Sequence, residues 1–190
     1  MSVNLVKGQK ISLSKEVEGL QKVTVGLGWD VAKKGLFGSQ HDIDCDASAI
    51  ILGENNKYKE CVYYGNRSAV DGCVYHHGDN LTGEGDGDDE QITVDLKNMP
   101  SSVEKVIFVV NIYGCVSRKQ DFGMIKNAYI RLTDASSGGE ICKYNLSEKY
   151  SGKTGMIFAE VYKRDGEWRF NAVGQGTACT SISEMTRQYK

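Results

Sequence analysis

Three aspartates stand two residues apart in the run Asp42-Ile43-Asp44-Cys45-Asp46-Ala47-Ser48. On an extended chain, residues two apart point to one face. The three carboxylates and Ser48 therefore share a side, and Ile43, Cys45, Ala47 and Ala49 share the other. Like charges at that spacing repel, so the row is costly unless a cation neutralises it. A second run, Gly78-Asp79-Asn80-Leu81-Thr82-Gly83-Glu84-Gly85-Asp86-Gly87-Asp88-Asp89-Glu90, mixes carboxylates, an amide, a hydroxyl and four glycines. The glycines let the backbone turn tightly, so that main-chain carbonyls also face an ion. An oxygen-only donor set suits a hard cation. Calcium, which accepts six to eight oxygens in irregular geometry, fits such a loop better than magnesium with its strict octahedron. Neutralising Asp44 or Asp88 to asparagine is accordingly expected to weaken cation binding and to stabilise the cation-free protein.

Neighbouring chemistry is less convincing. His76 and His77 are adjacent, would face opposite ways on a strand, and make poor partners for one ion; a structural or surface role is expected for them. An EF-hand begins like Asp42, but its sixth position requires Gly where Ala47 stands, and its twelfth requires Glu where Gly53 stands. The flanks also read as strands. Paired carboxylates serve glycoside hydrolysis, yet these acids are too many and too clustered. No GxSxG or GxxxxGK[ST] motif occurs, and Gly26-Leu27-Gly28 reads as a closely packed or bulged strand. The chain is not expected to be an enzyme.

The charge distribution supports the cation reading. Residues 35–56 and 68–96 together carry 12 acids and no Lys or Arg, whereas the rest of the 190-residue chain carries 13 acids and 23 bases. The lysines of that basic remainder are scattered, with no nucleic-acid reader motif, so no nucleic-acid partner is expected. The six cysteines, at 45, 61, 73, 115, 142 and 179, lack zinc spacing. They read as free thiols serving as small hydrophobes. The opening MSVNLVKGQKISLSK holds no apolar run long enough for a signal peptide or a membrane span, and a cytoplasmic protein is expected.

The elements that must position these acids are mostly strands. Lys22–Trp29 alternates apolar and polar residues. Ile43–Leu52 begins polar and ends in a buried run. Cys61–Tyr64, Gln91–Leu96, Lys105–Tyr113, Ala128–Leu132 and Glu140–Tyr144 follow. Ile157–Tyr162 and Glu167–Ala172 are joined by Lys163-Arg164-Asp165-Gly166, where Asp-Gly signals a hairpin turn. A short helix or frayed tail is expected over Ser183–Arg187. With 22 Gly and one Pro, the pattern predicts one all-β domain over 1–190: an antiparallel β-sandwich with a few short helices and the acidic loops at one end.

Four segments resemble the TerD family of tellurite-resistance and stress proteins, in the family's order and across nearly the whole chain. They are Val25-Gly26-Leu27-Gly28-Trp29-Asp30, Asp44-Cys45-Asp46-Ala47-Ser48, the Gly78–Glu90 run, and Gly155-Met156-Ile157-Phe158-Ala159-Glu160-Val161-Tyr162. Cys45 departs from the family, whose members usually carry a larger apolar residue there. The resemblance implies a calcium-binding β-sandwich in a bacterial stress system. By position it implies ligands from Asp42, Asp44 and Asp46 and from Asp79, Asn80, Asp86, Asp88, Asp89 and Glu90. Gly83 would give a carbonyl, and Asp30 is a weaker candidate. The acid count implies two calcium ions rather than one.

The leading expectation is a calcium-dependent interaction module whose partners are proteins of a stress complex, other Ter proteins among them. The alternative is a detoxification protein that uses thiols or metals directly on tellurium oxyanions. Calcium-bridged attachment to a membrane has little support, because this loop offers only Leu81 as an apolar tip residue.

Overall fold

The computed structural model describes residues 2–31, 43–78, 87–146 and 148–190. Among them thirteen strands form two sheets. In chain order they are β1 (Val3–Leu5), β2 (Lys10–Ser12), β3 (Lys22–Val31), β4 (Cys45–Leu52), β5 (Tyr58–Val62), β6 (Ser68–Ala69), β7 (Val74–His76), β8 (Glu90–Asp95), β9 (Lys105–Ile112), β10 (Ile125–Asp134), β11 (Glu140–Asn145), β12 (Gly155–Arg164) and β13 (Glu167–Thr177). Three short α-helices accompany them: α1 (Leu13–Glu16), α2 (Cys115–Arg118) and α3 (Ile182–Thr186).

The seven-stranded sheet runs β1-β11-β10-β3-β8-β7-β6 and the six-stranded sheet β2-β13-β12-β9-β4-β5. Every pairing is antiparallel except β1 with β11, where Val3 aligns with Cys142. This parallel edge is a departure from the purely antiparallel expectation. The longer expected strands are present with shifted ends. The short strands β1, β2, β6 and β7 carry too few residues for alternation to reveal them.

The inward rows of both sheets build one core. Val23, Val25 and Leu27 of β3 and Ile92 and Val94 of β8 meet Cys45, Ala47, Ala49 and Ile51 of β4 and Phe108 and Val110 of β9. The other face of the six-stranded sheet is also covered. Ile50, Leu52, Ile107, Val109 and Ile157 pack beneath Met185 of α3. That second layer explains why β4 is buried along its whole length. Ser181 caps α3, its Oγ accepting from Glu184 N at 3.3 Å.

The hairpin between β12 and β13 closes where the Asp-Gly pair predicts. Arg164 pairs with Glu167, and Asp165 and Gly166 have φ of 54° and 78°. Positive φ at both central residues is the type I′ geometry that matches strand twist.

All six cysteines are free, with Cys45, Cys73, Cys115 and Cys142 buried, as expected of small hydrophobes. Among the described residues, no helix is long and apolar enough to cross a membrane.

Candidate acidic cation site

The two acidic segments meet where β4 and β8 begin. Glu90 lies on the inward row of β8, in phase with Ile92 and Val94. Its Oε2 accepts the Ala47 N–H of the opposite sheet at 2.8 Å. That amide is available because the β4–β5 ladder starts only at Ala49. One hydrogen bond thus bridges the sheets and ties the end of the second acidic run to the first.

His76, inward on β7, completes the clasp. Its Nε2 is 3.2 Å from Ala47 O and 3.3 Å from Glu90 Oε2, with both side chains wholly out of solvent. Its Nδ1 accepts from Gly78 N at 3.1 Å, which places the ring proton on Nε2. The ring therefore holds the entry of the Gly78–Glu90 run while Glu90 holds its exit. His77 is exposed and stands 2.7 Å from Thr93 Oγ1. The two histidines do face opposite ways, in structural roles.

Asp89 ends the β3–β8 ladder. Its N–H donates to Leu27 O at 2.8 Å, and its Oδ2 accepts from Trp29 N, also at 2.8 Å. Burial pushes its carboxyl above the usual range; the Trp29 amide opposes this, and the charges of Asp30 and Asp88 add to it. Asp44 is half-buried at the entry to β4, its main-chain carbonyl accepting from Tyr113 N at 2.8 Å. Asp46 faces away from the core, as its alternation predicts, yet it is buried and accepts from Asn111 Nδ2 at 3.2 Å. Asp30 is exposed and accepts from Asn127 Nδ2 at 2.7 Å.

Cys45 records how closely the acids gather. Burial pushes its thiol well up, and Asp46, Glu90, Asp44 and Asp89 all push it further. An open hollow of about 370 Å³ at this end is lined by His77, Gly78, Asp88, Asp89, Glu90 and Gln91. Its donors are predominantly oxygen, the chemistry of a hard cation. No cluster of three or more His, Cys, Asp or Glu with metal-holding geometry is found among the described residues. Asp42, Asp79, Asn80, Gly83 and Asp86 lie outside those residues.

Asp88 has a partner that the sequence reading did not foresee. Arg131 of β10 grips it through Nε to Oδ1 at 2.7 Å and Nη2 to Oδ2 at 3.0 Å. Tyr129 Oη and Gln91 Nε2 each donate to it at 3.0 Å. The carboxylate lies over β3, and a Cβ on Gly26 would collide with it. A Cβ on Gly28 would come within 2.5 Å of the Tyr129 ring. The Gly-Leu-Gly pattern is thus a strand whose outer face is flattened to seat Asp88 and Tyr129. The expected gain in stability on neutralising Asp88 is therefore replaced by an expected loss. The available signal was weak: Arg131 aligns with Gly26 in the β3–β10 register, which only the folded pairing reveals.

A family profile described as the TerD domain matches residues 1–189. The stress response protein SCP2 of Bacillus subtilis is 49% identical over 199 residues, covering 100% of both chains. The tellurium resistance protein TerD of Serratia marcescens is 45% identical over 192 residues, covering 100% of this chain and 97% of that one. Among solved structures, a homologue of telluride resistance protein (TerD) from Streptomyces coelicolor A3(2) superposes with a TM-score of 0.71 at 21% identity. It covers 90% of this chain and 99% of that one, a likeness of fold.

Proposed function

The chain belongs to the TerD family, and from that premise we propose that it is a calcium-binding protein of a tellurium-resistance or stress-response system, acting as a calcium-dependent interaction module. The observation that carries this reading is the Glu90–Ala47 bridge between the sheets. It brings acids of two distant segments to one end of the sandwich, where like charges favour a divalent ion. Asp44 and Asp89 are the described residues best suited to ligate it, with Asp42, Asp79, Asn80, Asp86 and the Gly83 carbonyl supplied by the flanking runs. Glu90 and Asp88 serve as clasp and anchor. Two ions match the number of acids. Calcium would fix the 78–90 run against β4 and present an ordered surface to a partner protein of the stress complex.

Direct thiol chemistry on tellurium oxyanions is the less favoured reading. Burial pushes the Cys45, Cys73 and Cys142 thiols up, Cys142 to about 12, and the thiolate is the reactive form.

The test is a thermal melt in chelator, calcium and magnesium. A ligand that binds only the native state at about a thousandfold excess over its Kd adds about 4 kcal/mol. Calcium is expected to raise Tm well above the chelator value and more than magnesium does. Superimposable melts would sink the proposal.

A further inference from the structure

Asp46 and Ser48 leave β4 on the face away from the core and enter a separate pocket of about 210 Å³. Asn111 of β9 shares the floor, and Tyr63, Tyr64 and Tyr113 stand around it. The C-terminal segment before α3 closes one side through Thr180 and Ser181. Asp46, Ser48 and Asn111 are 6%, 1% and 5% exposed. Ser48 Oγ is fully buried and has no hydrogen-bond partner among the described residues. A buried hydroxyl left in that state is costly, and it points to a polar group that belongs in the pocket. The rim is unusual as well. Tyr64 and Tyr113, two large rings of the lining, are 46% and 52% exposed.

We propose that this pocket binds a primary alkylammonium group, either of a free amine or of a lysine side chain. An ammonium carries three donors and no acceptor. The floor offers three oxygen-bearing groups: the Asp46 carboxylate, Ser48 Oγ and the amide oxygen of Asn111. The Asn111 nitrogen is committed to Asp46 Oδ2, so its oxygen remains as its acceptor. That same bond takes one lobe of the carboxylate and disfavours a guanidinium, which pairs best with both oxygens at once. Tyrosine rings at the rim suit the methylenes and the positive charge of an alkylammonium. Arg118 already lies 5.7 Å from the Tyr113 ring, so a cation at this rim has a precedent within the chain.

The experiment titrates full-length 15N-labelled protein with n-butylammonium chloride, in chelator and again in saturating calcium, and follows amide shifts. Saturable shifts at residues 46–48, 111–114 and 180–182 are expected in both conditions. Asp46→Asn and, as a milder variant, Ser48→Ala are each expected to weaken binding by about tenfold, the worth of a hydrogen bond to a charged group. 1-Butanol and butyltrimethylammonium, which lack the three donors, are expected not to bind. Two further arms use a short glycine-flanked lysine peptide and its acetyl-lysine counterpart. Binding of the unmodified peptide alone assigns the source to a protein lysine. Failure of both peptides beside binding of the free amine assigns it to a small amine. Absence of saturation, shifts confined elsewhere, equal binding of butyltrimethylammonium, or competitive displacement by calcium would each overturn the proposal. Displacement would make the pocket part of the calcium site, whereas a protein that takes the amine but not calcium would overturn only the calcium reading.

Discussion

Asp88 shows how one side chain's environment reverses an argument from charge alone. Its clustering with Asp89 and Glu90 suggests repulsion, and repulsion suggests that removing the charge relieves strain. Arg131 cancels that logic with two short hydrogen bonds, and the Asp88 side chain is only 3% exposed. Asp88→Asn is therefore expected to destabilise the calcium-free protein by about 1–3 kcal/mol, the cost of leaving a partly buried charge without its partner. Gly26→Ala is expected to act through the same contact, by about 1–3 kcal/mol, because the added methyl must displace the carboxylate. Urea melts in chelator measure both. A stabilised Asp88→Asn would show that repulsion outweighs the Arg131 pair.

Among the elements, the β12–β13 hairpin and the β8 terminus make separable predictions. Gly166→Ala is expected to cost about 1 kcal/mol through positive φ alone, since an added Cβ there meets no atom within 4 Å. At the end of β8, burial would push the Asp95 carboxyl up. Two hydrogen bonds from Asn98, at 3.0 Å each, and Lys22 at 3.3 Å outweigh it and hold the carboxyl below its ordinary value. A carboxyl lowered by folding contributes stability that is present above its unfolded pKa and is lost as pH falls through its folded one. Asp95→Asn is therefore expected to narrow the gap to the wild type as pH drops below about 4. Urea melts between neutral and acidic pH measure this. A gap that stays constant with pH would mean that Asp95 contributes through shape and not charge.

For the whole molecule, the calcium reading requires the two segments to act as one site. Asp44→Asn and Asp89→Asn are each expected to weaken calcium binding, and the double variant to lose less than the sum, because residues around the same ion couple. Asp89→Asn keeps an acceptor for the Trp29 N–H, so a loss of affinity would report charge and not a broken ladder. Calorimetric titration decides; additive losses would mean that the segments do not converge on an ion. The buried thiols should matter only for packing. A protein with all six cysteines replaced by alanine or serine is expected to lose about 1–3 kcal/mol per buried site while keeping its calcium affinity. Loss of the cellular phenotype in a folded cysteine-free protein would favour thiol-based chemistry.

Local pattern carried much of this. Alternation is a property of the extended chain itself, so the longer strands, the face shared by Asp46 and Ser48, and the opposed histidines were legible residue by residue. The Asp165-Gly166 turn was legible because few residues tolerate positive φ. Glu90 could have been assigned inward from its phase with Ile92 and Val94, had that alternation been carried one step back. The rest depends on contacts between residues remote in sequence. Arg131 reaches Asp88 across 43 positions and Glu90 reaches Ala47 across the same separation. Asn111 meets Asp46 across 65. Whether a carboxylate is an open ligand, a clasp or half of an ion pair is set by what the opposite strand places beside it, because at these distances a single guanidinium or amide outweighs the summed repulsion of neighbours along the chain.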